Sequence, residues 1–163
     1  MIRALEKREC AEVLGIVNEN WRTVYSGYVN PDLLSKEGCM RRSGELVRDF
    51  AAKRLFEYVY EENGEVLGMV SFGKTCESGL PEAFEVWRLY VSCKAQKKGI
   101  GSKLLEFAEE KAKSLGYKII VIWAFTENYH ALTFYKKHGY RADHEEYLGE
   151  PYRAVGVRLI KEI

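Results

Sequence analysis

Gln96-Lys97-Lys98-Gly99-Ile100-Gly101 is the segment whose residue types and spacing speak most directly of chemistry. It lies between a β-rich run and a stretch of helical period. Glycines at the mouth of a helix leave backbone amides unobstructed, and the helix start adds partial positive charge, so this is an anion cradle with phosphate as its natural guest. Two familiar phosphate loops do not account for it. The dinucleotide fingerprint needs a third glycine where Leu104 stands, and the nucleoside triphosphate loop needs Gly-Lys-Ser/Thr after a longer spacing. The two glycines also suit a plain tight turn from strand to helix, and their spacing leaves both readings open. Lys94, Lys97, Lys98 and Lys103 surround the loop, either as counter-charge for a ligand with several phosphates or as a solvated basic turn.

A second chemistry to weigh is that of a thiol. Cys93 or Cys76 would need an imidazole within reach, from His130, His138 or His144, and no cysteine-hydrolase signature accompanies them. With Cys10 and Cys39 they are scattered, without the paired spacing of a zinc or redox site, so they read as reduced thiols and no metal site is expected.

The elements that must position the loop follow from periodicity. Met1–Leu5 reads as a short strand, and Cys10, Ala11, Val13, Leu14, Val17 and Trp21 repeat on one helical face. From Pro31 to Leu55 a helical spacing continues, and Gly38 and Gly44 predict a break into two short helices. Phe56–Tyr60 and Val66–Phe72 are β-rich runs joined by Glu62-Asn63-Gly64-Glu65, whose Asn-Gly pair suits a tight hairpin. Phe84–Val91 is a strand leading into the loop. Leu104, Leu105, Phe107, Ala108, Ala112 and Leu115 mark the helix that follows, and Gly116 stops it. Lys118–Phe125, with an unbroken apolar run from Ile119, fits a strand covered on both faces, so strand, helix and strand make a right-handed crossover. Asn128–His138 predicts a further helix ended by Gly139. Tyr140–Leu148 and Arg153–Ile160 form a last pair of strands around Gly149-Glu150-Pro151.

A chain of 163 residues suits one α/β (α+β) domain spanning 1–163. Its 47% hydrophobic and 30% charged residues exclude disorder for most of its length. The 25 basic and 24 acidic side chains leave a net charge of +1, which argues against a general attraction to nucleic acid or anionic membrane. Any charge-based function must be local. The longest apolar run, Ile119–Phe125, is far short of the roughly 20 residues that span a bilayer, and without a cleavable leader at Met1 a cytoplasmic location is expected.

The run from Glu85 to Gly101 resembles motif A of the GNAT superfamily of N-acetyltransferases: a strand, then Gln/Arg-x-x-Gly-x-Gly/Ala, then a helix. Gln96, Gly99 and Gly101 match it, preceded by Leu89-Tyr90-Val91. Asn128, followed by Ala131-Leu132-Thr133-Phe134-Tyr135-Lys136-Lys137-His138-Gly139-Tyr140, resembles the family's Asn-x-x-Ala-x-x-x-Tyr-x-x-x-Gly-Phe helix. The two signatures stand in the family's order. The element order fits over nearly the whole chain, in outline only before Leu55.

The resemblance implies a mixed, mostly antiparallel sheet flanked by helices and splayed between two central parallel strands. It implies acetyl-coenzyme A as co-substrate, its pyrophosphate on the loop amides from Lys97 to Ser102, through Lys98, Gly99, Ile100 and Gly101, with Gln96 at the head of the motif. The pantetheine arm would lie in the splay against Leu89 and Val91, and the Val91 amide would polarise the thioester carbonyl, a contribution commonly worth about 3 to 4 kcal/mol. A lysine-like acceptor amine has a pKa near 10.4, and stripping its proton at neutral pH costs roughly 4 to 5 kcal/mol, which a positioned base offsets. Glu85 stands at the spacing from Gly99 where the histone-modifying branch places its catalytic glutamate; otherwise it starts a strand or pairs with Arg88. Tyr135 stands at the family's tyrosine position and would protonate the departing thiolate, with Phe134 beside it as the core contact. Asn128 would hydrogen-bond the pantetheine arm or serve only as a helix cap.

The resemblance implies an acceptor amine of small-molecule, peptide or protein origin. Trp21, Tyr25, Tyr28, Tyr147 and Tyr152, with Glu145, Glu146 and Glu150, fall in regions that often border the family's acceptor site, where they suit either a cationic amine or plain core and rim packing with a solvated acidic turn. Direct transfer through a ternary complex is expected, the alternative being an acyl-coenzyme A-binding module without efficient turnover. Homodimers are common in the family, and nothing in the sequence specifies an interface.

Overall fold

The computed structural model describes residues 1–163. The amino-terminal strand β1 (Ile2–Ala4) leads into helix α1 (Cys10–Val24), whose Val13, Ile16, Val17 and Trp21 are buried at helical spacing. A 3-10 turn over Pro31–Leu34 precedes helix α2 (Lys36–Ala52). The expected break in α2 does not occur. The Ser35 side chain caps its start by accepting from the Gly38 amide at 3.2 Å, and the helix runs on through Gly44. Gly38 instead lets α2 approach the preceding turn: a Cβ there would stand 2.4 Å from the Leu33 carbonyl oxygen.

Strands β2 (Phe56–Glu62) and β3 (Glu65–Lys74) form the expected hairpin, with Asn63 and Gly64 both at positive φ as an Asn-Gly turn requires. Strand β4 (Phe84–Val91) pairs antiparallel to β3 with one irregularity, since Ser71 faces Arg88 while Phe72 faces Val86. Trp87 is therefore an extra residue, a β-bulge. Helix α3 (Ile100–Ser114), strand β5 (Ile119–Phe125), helix α4 (Tyr129–Lys137) and strands β6 (Arg141–Tyr147) and β7 (Val155–Glu162) complete the chain.

All seven strands join one sheet in the order β1-β2-β3-β4-β5-β7-β6, antiparallel except where β4 meets β5. That parallel junction is short. Phe84, Glu85 and Val86 pair with Ile120, Val121 and Ile122, and beyond them the strands part. One face of the sheet packs on α3 and α4 around Phe72, Phe84, Leu104, Leu105 and Ile120, and the other on α1 and α2 around Val13, Leu46, Val59 and Met69. Burying each such side chain contributes on the order of 2 kcal/mol, which holds both helical layers to the sheet. No helix is long and apolar enough to cross a membrane.

Candidate active site

The loop after β4 enters α3 with Lys97 and Gly99 both in the left-handed region, at φ 62° and 80°. Gly99 is the N-cap of α3 and supplies no side chain to the free amides behind it. The first intrahelical acceptor at this end is the Gly99 carbonyl, taken by the Lys103 amide at 3.1 Å. Ile100, Gly101 and Ser102 are the first three residues of the helix, whose amides have no intrahelical acceptor, which is the geometry an anion cradle requires. Close packing seats it: at Gly68 of β3, a Cβ would stand 2.9 Å from the Tyr90 carbonyl oxygen and 3.1 Å from Leu104.

The four lysines around the loop do not form one patch. Lys94 is ion-paired with Glu65, and Lys103 sits over the Tyr60 ring at 5.5 Å. Lys97 and Lys98 are left exposed at the loop itself.

The splay supplies an unpaired backbone. The Ser92 amide donates to the Leu67 carbonyl at 2.9 Å, so by strand alternation the amides and carbonyls of Val91 and Leu89 point away from β3, toward the side where β5 has departed. Asn20, buried on the apolar face of α1, closes one of these positions. Its Nδ2 donates to the Val91 carbonyl at 3.0 Å and its Oδ1 accepts from Gln96 Nε2 at 3.3 Å, while Gln96 Nε2 also lies 3.4 Å from the Val91 oxygen. Gln96 thus ties the loop to α1 and β4. The Val91 amide and both polar groups of Leu89 stay available. Asn20 was missed in the sequence, although one amide among Val13, Ile16, Val17 and Trp21 on an apolar face was a visible signal.

Glu85 is buried at the start of β4, on the stretch still paired with β5. It does not pair with Arg88. The Thr75 hydroxyl donates to its Oε2 at 2.7 Å, and burial pushes its carboxyl above the ordinary value, more than that hydroxyl pulls it down. Arg88 reaches Asp49 at 2.6 Å and approaches Glu57 at 3.6 Å. Burial raises Asp49, but the Arg54 and Arg88 guanidiniums outweigh it and hold that carboxyl below its usual range.

Tyr135 is more buried than Phe134 beside it on α4, the reverse of the expected division of labour; Phe134 is half-buried and packs over Gly101. Burial and the neighbouring Tyr90 phenol push the Tyr135 hydroxyl well above the usual tyrosine value, so it stays protonated. Asn128 caps α4, its Oδ1 accepting from the Ala131 amide at 3.2 Å, which leaves its Nδ2 uncommitted. The thiol arrangement is not assembled: Cys93 Sγ faces Thr23 Oγ1 at 3.7 Å, and His138 is held by the Phe134 carbonyl at 2.8 Å and Ser102 Oγ at 3.1 Å.

On the α1/α2 face, a cleft of about 390 Å³ opens where the bulge turns Trp87 and Arg88 toward Tyr90, Trp21 and Tyr152. Trp21 Nε1 donates to the Tyr90 hydroxyl at 3.1 Å, and Phe125 of β5 meets Trp21 and Tyr25 edge to face. Trp21 and Tyr152 therefore line this cleft. Its charged lining differs from the one expected: Glu145, Glu146 and Glu150 are exposed outside it, with Glu146 on His144 and Glu150 on Arg153, while the cleft is lined by Arg42, Arg48, Arg54 and Arg88.

A glycine-opened helix start beside a strand that loses its parallel partner is the arrangement that the resemblance to the GNAT superfamily implies. The Acetyltransferase (GNAT) family model matches residues 15–140, and the chain belongs to that family. It is an acyltransferase by class. A protein of Mycobacterium tuberculosis described as a probable N-acetyltransferase is 27% identical over 158 residues, covering 96% of this chain and 88% of the relative. The N-acetyltransferase of Staphylococcus aureus Mu50 superposes with a TM-score of 0.78 at 23% identity, over 99% of this chain and 97% of that one. The PaiA N-acetyltransferase of Thermoplasma acidophilum, solved in complex with coenzyme A, gives 0.77 at 18% identity over 100% and 98%. These likenesses establish the fold.

Proposed function

We propose that the protein transfers an acetyl group from acetyl-coenzyme A directly to a primary amine held in the same complex. The observation that carries this reading is the open Val91 amide and Leu89 backbone on the splayed side of β4, followed by the free amides of the α3 start, which together match a ligand with an amide-bearing arm and a pyrophosphate. Coenzyme A bound to the Thermoplasma relative supports the same assignment. Lys97 and Lys98 add counter-charge at the phosphates.

In the transfer, an N–C bond forms as the C–S bond breaks, and the amine's proton leaves as the thiolate gains one. Glu85 accepts the amine proton, directly or across one water, because its dry setting raises its basicity toward the working pH. The Val91 amide donates to the oxygen on which negative charge develops. Tyr135, kept protonated, gives its hydroxyl hydrogen bond to the sulfur as it departs. Asn128 Nδ2 and the Leu89 backbone hold the arm in line.

Initial-rate kinetics with free coenzyme A as readout across a panel of amines test the reading. Intersecting double-reciprocal lines are the expected result. Parallel lines with acetyl trapped on the protein would overturn direct transfer, and tight acetyl-coenzyme A binding without release for any amine would point to a binding module.

A further inference from the structure

The cleft beside the bulge carries more positive charge than its own carboxylates balance. Four guanidiniums line it against two carboxylates, Glu45 and Asp49, and Asp49 is already shared between Arg54 and Arg88. Arg42 has no such partner. Its Nε donates to Asn18 Oδ1 at 3.0 Å, its Nη1 to the Leu33 carbonyl at 2.6 Å, and its Nη2 lies 3.4 Å from Cys39 Sγ, all uncharged acceptors. Of the five N–H donors of a guanidinium, those three bonds leave one on each terminal nitrogen uncommitted. The group also lies 4.4 Å from the Trp21 ring centroid, so its direction is fixed by stacking as well as by hydrogen bonds.

Burial pulls Arg42 below the ordinary arginine value and outweighs what Cys39, Tyr90 and the nearby Glu45 carboxylate, which makes no ion pair with it, add back. Arginine stays charged in proteins, so it is the ligand that must bring the anion. The planar fork, the aromatic walls of Trp21, Trp87, Tyr90 and Tyr152, and a volume of about 390 Å³ together describe a small amphipathic guest. On the strength of the transfer reading above, we propose that the acceptor is a small amino acid whose carboxylate is held by Arg42, with Arg48 beside it, while its amine reaches toward β4.

The test sets free L-amino acids against their methyl esters, their decarboxylated amines and O-phosphoethanolamine, with coenzyme A release and calorimetric binding in the presence of coenzyme A as two readouts. At least one free amino acid should exceed its own ester in kcat/KM by about tenfold or more, since a hydrogen-bonded charge is being removed. Arg42→Gln should erase that preference by raising KM for the amino acid, while KM for acetyl-coenzyme A holds. Arg42→Lys, which keeps the charge but not the fork, should restore it only in part, with thermal melting confirming that both variants fold. Turnover of esters or decarboxylated amines at rates equal to or above the free acids, or a preference for O-phosphoethanolamine, overturns the carboxylate assignment and leaves acetyl transfer standing. Arg42-dependent binding of an amino acid without coenzyme A release upholds the assignment and overturns the transfer reading. Absence of both binding and turnover for every free amino acid overturns the assignment outright.

Discussion

Glu85 owes its character to what surrounds it rather than to its place in a motif. A carboxyl group stripped of water, with only the Thr75 hydroxyl and the Cys76 backbone to bond it, holds its proton to higher pH than an exposed glutamate. It accepts a proton only above that raised pKa, so kcat/KM should fall as pH drops through a limb lying above the ordinary glutamate value of 4.5. Glu85→Gln should lower kcat by roughly 10²-fold or more at neutral pH and abolish the limb. Thr75→Val removes a bond that favours the charged form, so its limb should move to still higher pH in the same profile. Tyr135→Phe should cost about tenfold in kcat, with little change in the binding of acetyl-coenzyme A, as read by single-turnover and equilibrium titrations. Gly99 at the mouth of α3 and Asn128 as the cap of α4 were legible in the sequence because those local places are set by neighbours a few residues away, whereas the tie of Gln96 to Asn20 was not. Asn20, Arg42 and Arg88 were not, because their partners lie on other elements and charge pairing has no sequence period.

At the scale of elements, two glycines do different work around the start of α3. Gly99 takes a φ of 80° with open space beside it, so Gly99→Ala costs backbone strain alone, on the order of 1 to 2 kcal/mol, at the residue that caps the anion cradle. Affinity for coenzyme A, measured by titration, should fall about tenfold while the melting temperature shifts only a few degrees. Gly68→Ala drives a methyl against the Tyr90 carbonyl oxygen and Leu104, so α3 must move off β3, at a cost of about 1 to 3 kcal/mol of overpacking. It should lower both stability in urea titration and coenzyme A affinity. The Asn-Gly hairpin, the α3 stop at Gly116 and the crossover to β5 could be read from local signals, since turn chemistry and helical period are written in consecutive residues. The single long α2 could not, because Gly38 sits there for a close approach to Leu33, a fact of packing that looks like a break when only the chain is seen.

Over the whole molecule, a net charge of +1 conceals local excess: two exposed lysines at the loop and an arginine-rich cleft on the opposite helical face, offset by acids on the outer strand β6. The KM for acetyl-coenzyme A should rise with ionic strength, because exposed charges about a Debye length apart, roughly 8 Å at physiological salt, are screened. Replacing both Lys97 and Lys98 by Gln should raise KM severalfold at low salt and flatten that slope, a comparison made by steady-state kinetics over a salt series.

The short junction between β4 and β5 has a further consequence for how the molecule is put together. Everything on one side of it, β1 to β4, comes from residues 2–91, and everything on the other, β5 to β7, from residues 119–162. Only three residue pairs of backbone ladder weld these two antiparallel halves, and the α3 core laid across them does the rest. A chain divided in the Gly116–Lys118 turn would therefore yield two fragments, each with its own antiparallel ladder intact. Their reassembly should be driven less by strand pairing than by Leu104, Leu105 and Ala108 finding Ile120, Ile122 and Leu159 again.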